Sequence, residues 1–567
     1  MSITSQAIHY AVNFNKVKSH YVSVQLDLEI KGKDFVDFKV PVWTPGSYKV
    51  REFSNAFENV KAGNLSVVRR DKNTWRIATK GQSKLSITYD VYCFVVSVRQ
   101  SYADENYAFL HGTSAFGYVE GFEKEPIELE IKPYKGWENV EVSLPQIKPK
   151  EYIFTAENYD LLADSPIALG NFETTSYVSS KVPHKVVMIG EGNYDLLKIQ
   201  EDFKKISDIQ VSMMGEHPSP QYIHFIYNVA NGGGGLEHLN SQTSMMNRWS
   251  YSNPSAYKSF LGLVAHEYFH LWNVKRVRPI QLGPFDYNHE VYTDMLWIAE
   301  GITSYYDDKT LQKMGLYEDE EYLKIIAGQI SRYENTPGKE VMSLAHSSTL
   351  AWVKSYLPNE ESMNTSVSYY NKGMIAAVLL DLEIRASSAH SLDDVMQVLY
   401  NDFYKKKGRG FTHDEFISVC SKIAERDLQS FFDTVIFSTK AIDYNAVFGP
   451  FGLTLKDENA AKNECWSGVI STHSGGKTTI NNLYASSPAV EAGLSVNDEI
   501  ISVNGWRVNE TLESYDSKHN VGDVAEILYA RDGKIFTANL QYTKNPKVAM
   551  KLDIVNKNSL YTSWLAN

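Results

Sequence analysis

His266, Glu267 and His270 fall in the run His-Glu-Tyr-Phe-His, and these residue types at this spacing can bind a metal ion and put it to use. On a helix of 3.6 residues per turn, positions four apart share a face. Both imidazoles can therefore grip one ion, with Glu267 beside the first of them. A zinc held there lowers the pKa of the water it binds to about 7 and polarises a scissile carbonyl, while a neighbouring carboxylate takes the proton of the attacking water. Chance produces the pattern in roughly one chain of this length in fifty, so its surroundings decide. Ser259 to Ala265 is an apolar run entering the motif, and nothing from Phe260 to Val274 breaks a helical pattern. A buried helix carrying the whole motif is predicted.

A catalytic zinc takes three protein ligands and keeps one position open. The downstream carboxylates are Asp286, Glu290, Asp294 and Glu300. Glu300 is favoured because it sits in the apolar stretch Trp297 to Tyr306, where burying an unpaired carboxylate is costly and metal coordination removes the cost. Pairing of Glu300 with Lys275 or Arg276 is the alternative.

The segments HEYFHLWNVKRVRP (266 to 279) and WIAEGITSYY (297 to 306) resemble the glycyl aminopeptidase family, PDZ-containing relatives of the thermolysin-like gluzincins. The resemblance implies His266, His270 and Glu300 as ligands of one Zn(2+) per chain and Glu267 as general base. The 29 residues from 271 to 299 exceed the gap of the commoner gluzincins, so Lys275 to Asp294 is expected to form an excursion. Gly232 to His238 resembles the Gly-x-Met-Glu-Asn strand of the larger aminopeptidase branch, with Leu236 and His238 in place of Met and Asn. It implies a substrate-binding strand in which Glu237 anchors a free amine and Gly234 and Gly235 let the backbone approach the substrate. A Gly-rich turn with a solvated glutamate is the alternative. Tyr370-Asn371-Lys372-Gly373 resembles the Tyr-x-Lys-Gly of the same branch, which implies a catalytic Tyr370 donating to the oxyanion. Tyr369 stands beside it, and the choice between the two is open.

At 567 residues the chain is too long for a single core. A composition of 43% hydrophobic and 22% charged residues is that of an ordinary globular protein, and a net charge of −12 argues against a nucleic-acid partner. Cys93, Cys420 and Cys465 are too few and too scattered for a disulfide framework. The fold class expected is multidomain α+β. A β-rich domain fills 1 to 175, with Val22, Val24, Leu26, Leu28 and Ile30 alternating along one strand and Ile127, Leu129 and Ile131 along another. Within it, Val42 to Tyr48 resembles the family's Trp-x-Pro-Gly-Ser-Tyr segment, centred on a Pro-Gly turn and given a mainly structural role. A thermolysin-like catalytic domain with a helical lobe fills 176 to 445, with amphipathic helices expected over Leu392 to Lys405 and Asp414 to Phe432. From 446 to 567, short strands, an Asp532-Gly533 hairpin turn and the run Ser487 to Gly505 resemble a PDZ domain followed by a tail.

The resulting expectation is a zinc aminopeptidase acting on peptides with a free N-terminus. The family resemblance implies a preference for Gly or Ala there. Two other readings use the same residues: an endopeptidase whose PDZ domain recruits a substrate C-terminus, and a non-catalytic peptide-binding scaffold, against which the intact Glu267 speaks. No run of eighteen apolar residues occurs, so no membrane segment is expected. The chain reads as soluble, cytoplasmic as it stands, or periplasmic or secreted if a signal peptide has been removed.

Overall fold

The computed structural model describes residues 7 to 30 and 32 to 565. The chain forms two compact units: Met1–Thr293 with Tyr306–Leu316 and Val395–Phe416, and Asp294–Tyr305 with Tyr317–Asp394 and Ile417–Asn567.

The first unit opens on a seven-stranded sheet in the order Gln146–Lys148, Ile153–Ala156, Ile127–Lys132, Ile8–Asn13, Tyr21–Glu29, Lys84–Tyr92, Phe57–Lys61. The period-two pattern builds it. Val22, Val24, Leu26 and Leu28 are buried while the residues between them face outward. Ile8–Asn13 runs parallel to Ile127–Lys132, aligning Ile8, Tyr10 and Val12 with Ile127, Leu129 and Ile131 on the core face.

A second, five-stranded sheet runs Glu173–Ser179, Val182–Ile189, Tyr222–Val229, Ser241–Asn247, Gly235–His238. Its three central strands are parallel, and Gly235–His238 closes the edge antiparallel, with Glu237 opposite Gln242. The Gly-rich segment thus leads into an edge strand instead of staying a loose turn.

The motif helix is Pro254–Phe269, started by Asn253, whose side chain accepts from Ala256 N, with Pro254 in the first turn where its missing N–H costs nothing. It ends sooner than the pattern predicts. His270 is the C-cap, and the chain turns through Leu271 to Val277, because Lys275 N bonds back to His270 O and the Arg276 guanidinium takes the carbonyl of Leu271. Residues 275 to 294 are the expected excursion, mostly irregular, with one short turn at Ile280–Leu282. They lie along the N-terminal β-structure: Trp43 Nε1 donates to Asp286 O at 2.7 Å, Val42 N to Tyr287 O at 2.9 Å and Asn288 Nδ2 to Tyr118 Oη at 2.8 Å.

Trp297–Gly301, in the second unit, forms a π-helical turn that continues without a break as the helix Ile302–Lys313, whose residues from 306 onward belong to the first unit. It meets the buried helix Asn371–Ser387 at a pair of glycines. A Cβ on Gly301 would lie 2.4 Å from Gly373 Cα, and one on Gly373 would lie 2.9 Å from Gly301 Cα. The helix expected over Asp414 to Phe432 is split into His413–Ile423 and Gln429–Val435, interrupted where Glu425 turns to φ +54°.

The C-terminal strands form a sheet in the order Val469–Ser474, Lys477–Leu483, Glu499–Val503, Val524–Arg531, Lys534–Gln541 around its own core. Asp532 and Gly533 both take positive φ, as a two-residue hairpin turn requires. At the start of the edge strand, the chain's own acids accept the backbone amides: Asp516 Oδ2 from Ser467 N and the Glu513 carboxylate from Ser471 N, each at 3.2 Å. The tail then returns to the helices. Met550–Ile554 pairs antiparallel with Leu453–Asp457, Met550 N donates to Ser331 Oγ, and Trp564, on the helix Ser559–Leu565, is buried with its indole N–H 3.2 Å from Tyr305 Oη.

Candidate active site

Both motif histidines have their Nδ1 atoms engaged. His266 Nδ1 lies 2.8 Å from Asp307 Oδ2, and His270 Nδ1 lies 2.5 Å from the carbonyl oxygen of Asn273. A ring nitrogen fixed as a donor leaves Nε2 as the ligating atom, and a carboxylate or carbonyl behind each imidazole is the usual support of a metal-bound histidine. The rings stand 4.7 Å apart between centroids. This donor set suits zinc, which accepts imidazole and carboxylate ligands. Neither support was foreseen. Asp307 carried a signal, for it lies seven residues after Glu300 on one continuous helix and so on nearly the same face. A backbone carbonyl such as that of Asn273 leaves no residue signature at all.

Glu300 belongs to the π-helical turn and is 2% exposed. Two turns farther along the same helix, Asp307 meets His266. The cations weighed as partners for Glu300 are engaged elsewhere. Lys275 Nζ is 2.8 Å from Asp164, and Arg276 donates to Leu271 O, Leu239 O and Ser219 Oγ. Burial works to raise the Asp164 carboxyl, but Lys275 and His238 bring it down to about 2.

Glu267 and Glu237 are both buried, and one carboxylate oxygen of each lies within 4.8 Å of the other and of a His270 ring nitrogen. Strand alternation puts Gly235 and Glu237 on one face. At Gly235 a Cβ would fall 2.2 Å from Glu267 Oε1, so the glycine is what admits the Glu267 carboxylate. Across from them, Gly46 at φ +83° closes the Thr44 to Ser47 turn, and a Cβ there would lie 2.5 Å from Glu237 Oε1. The Pro-Gly turn, read from sequence as structural, therefore presses its backbone against Glu237. Among the described residues Glu237 Oε1 is buried without a hydrogen-bond partner. Gly234, at φ +92°, accepts from Met245 N at 3.0 Å, and Arg99 reaches the carbonyl of Gly235 at 3.1 Å.

Tyr370 is the N-cap of Asn371–Ser387 and is 36% exposed, whereas Tyr369 is 1% exposed, their rings 4.8 Å apart. Only the first presents a substantial surface. Lys372, behind them, is buried, which brings its ammonium down to about 8.

Three family models match along the chain. Residues 9–171 match the peptidase M61 N-terminal domain, 259–376 the M61 glycyl aminopeptidase domain, and 451–541 a PDZ domain. The chain carries the domains of the M61 glycyl aminopeptidase family. It is thus a zinc metallopeptidase. Its fold also matches the crystal structure of an aminopeptidase N family protein from Idiomarina loihiensis at 29% identity and a TM-score of 0.91, covering 99% of this chain and 100% of that one. An M1 zinc metallopeptidase from Deinococcus radiodurans matches at 10% identity and a TM-score of 0.50, over 77% of this chain and 94% of that one, which is a likeness of fold. None of the curated proteins matches. Among the described residues no helix is long and apolar enough to cross a membrane.

Proposed function

We propose that this M61 peptidase is an aminopeptidase that removes small N-terminal residues, Gly or Ala, from peptides, with one zinc per chain held by His266, His270 and Glu300. The observation that carries the reading is the pair of buried carboxylates, Glu237 and Glu267, beside a histidine already oriented for a metal. Two such anions close together are stable only with a cation or proton between them. A substrate ammonium on Glu237 supplies that charge and gives its orphaned Oε1 a donor. The tight seat of the Gly46 backbone on the same carboxylate supports a small residue at the amine end.

In this reading Glu237 fixes the substrate by its amine and so places the first peptide bond, and no other, at Glu267. When bound, zinc supplies Lewis acidity towards the carbonyl oxygen. Glu267 takes the proton of the attacking water and returns it to the leaving nitrogen. Tyr370 donates a hydrogen bond to the oxyanion that forms. Asp307 and Asn273 hold the two imidazoles in one tautomer throughout.

The test is a panel of Gly- and Ala-initiated peptides, free and N-acetylated, offered to the wild type and to Glu237→Ala. Cleavage one residue from a free N-terminus, little cleavage of acetylated forms, and a loss of kcat/KM of about 100-fold or more in the variant are expected. Efficient internal cutting of acetylated peptides, unaffected by Glu237→Ala, would sink the aminopeptidase reading.

A further inference from the structure

A sheet edge takes up a peptide by offering its outward amides to the carbonyls and terminus of the incoming strand. Val469–Ser474 is an outer strand of the PDZ sheet, and the chain itself holds its amides. The segment Leu512–Lys518 supplies the groups. Its Glu513 carboxylate accepts from Ser471 N at 3.2 Å and from Ser471 Oγ at 2.6 Å, and its Asp516 accepts from Ser467 N at 3.2 Å. Two further bonds stitch the region down: Leu512 N donates to Ser471 Oγ at 2.8 Å, and Thr478 Oγ1 donates to Glu510 O at 2.6 Å. A carboxylate on a backbone amide makes a bond roughly twice as strong as the neutral one a peptide carbonyl offers. An arriving strand has little to gain there.

The same domain grips the helical part of its own unit. Asn364, 7% exposed, treats the PDZ main chain as a neighbouring strand would: Nδ2 donates to Leu483 O at 2.8 Å, and Oδ1 accepts from Ala485 N at 2.9 Å. Asn482 Nδ2 adds a bond to Glu360 O at 2.8 Å. Between Asn364 and Tyr370 the chain is tied down at each step. Ser366 is pressed against Gly338, where a Cβ would overlap the Ser366 main chain, and Val367 and Tyr369 are buried. Ser368 then accepts the first amides of the helix Asn371–Ser387, Asn371 N at its Oγ and Lys372 N at its carbonyl. That helix meets Gly301, the neighbour of Glu300, at Gly373. Every residue in this series of supports belongs to the second unit.

We propose that the PDZ domain of this peptidase is an internal brace, its edge kept by its own acids, and that Asn364 is the positioning residue through which it holds Tyr370 in place. The inference rests on the reading above, in which Tyr370 donates to the oxyanion. A hydroxyl that acts only in the transition state must be held closely, for misplacement by about 1 Å can cost on the order of 100-fold in rate. Loosening the brace should therefore slow turnover without weakening substrate binding.

Turnover of Gly-Ala-Phe by the full chain as wild type, Asn364→Ala, Tyr370→Phe and the double variant forms a cycle that tests it. Asn364→Ala should lower kcat about tenfold, leave KM within about twofold and keep its zinc. Added to Tyr370→Phe, the same change should cost little more, since the group it positions is already gone. An equal loss in both backgrounds would make Asn364 a merely structural residue and overturn the inference, as would wild-type kcat in Asn364→Ala. Wild-type kcat in Tyr370→Phe would instead strike the role of Tyr370 in the reading above, and the inference with it. Should Asn364→Ala not fold, Asn482→Ala removes only the outer bond of the seam and enters the same cycle, with a smaller loss of kcat expected and the same outcomes deciding. The edge is tested by calorimetry on the Glu267→Gln protein, to which Ac-Ala-Thr-Ala-Val as free acid should bind no more tightly than as amide. A preference for the acid of about tenfold or more would show an edge open to partners and overturn the inference.

Discussion

Glu267→Gln replaces one oxygen by nitrogen and leaves the shape of the side chain, so it separates holding the metal from using it. The variant should retain zinc and lose roughly 100-fold to 10,000-fold in kcat. Glu300→Ala, by contrast, should lose most of its zinc as measured by atomic absorption, since a site reduced to two imidazoles binds weakly. Near-stoichiometric zinc and full activity in Glu300→Ala would move the third-ligand role to Glu290 or Asp294. At this scale the sequence was most legible where the chemistry demands particular side chains at fixed spacing. The two histidines and Glu267 could be read directly, because a helix of known pitch determines what a five-residue motif presents. Gly46 could not, since it acts by lacking a side chain and its neighbour Glu237 lies 191 positions away, between residues 46 and 237.

Between elements, the contact of Gly301 with Gly373 sets the spacing of two helices, and it gives a reason for the glycine that follows Glu300 and the one that ends Tyr-x-Lys-Gly. Gly373→Ala forces a methyl to within 2.9 Å of Gly301 Cα and 3.1 Å of the Trp297 carbonyl. The helices must separate, at a cost of about 1–3 kcal/mol, and Tyr370, three residues earlier, must move with them. The expected result is a melting temperature lower by several degrees and a fall in kcat. The sequence announced these helices by their apolar periodicity but not their ends. His270 closes its helix because its own carbonyl is taken by Lys275 N and that of Leu271 by the Arg276 guanidinium, contacts that no local pattern encodes.

The PDZ edge carries its own test. Burial raises the Asp516 carboxyl to about 6, although its bonds to Ser467 work the other way. A folded-state value above the unfolded one contributes stability that is fully present below about pH 4 and is lost as pH rises through about 6, here about 3 kcal/mol. Asp516→Asn keeps an oxygen for Ser467 N and removes the titration. The difference in melting temperature between variant and wild type should therefore shift in favour of the variant between pH 4 and pH 7. A difference that stays flat across that window would mean that Asp516 is solvated in the folded protein.

For the molecule as a whole, the domain order was plain from composition and motif: strands first, a helical middle, short strands again. What composition could not convey is that the tail does not stop at the PDZ domain. Trp564 fills a position beside Tyr305, 259 residues earlier in the chain, on the helix that continues from the turn bearing Glu300. Trp564→Ala should cost about 3–5 kcal/mol, read as a lower midpoint for the helical unit in thermal unfolding. An unchanged midpoint would show that the tail is only laid against the helices.

That bond across 259 residues also orders events in time. During synthesis the seven strands of the first sheet, all within residues 8 to 156, leave the ribosome early, whereas the histidine helix must wait for Asp307. The helix bearing Glu300 emerges soon after, yet its contact with Trp564 cannot form until residue 564 follows. The helix that carries Glu300 and Asp307 therefore gains its contact with Trp564 only after a further 259 residues have been added beyond Tyr305.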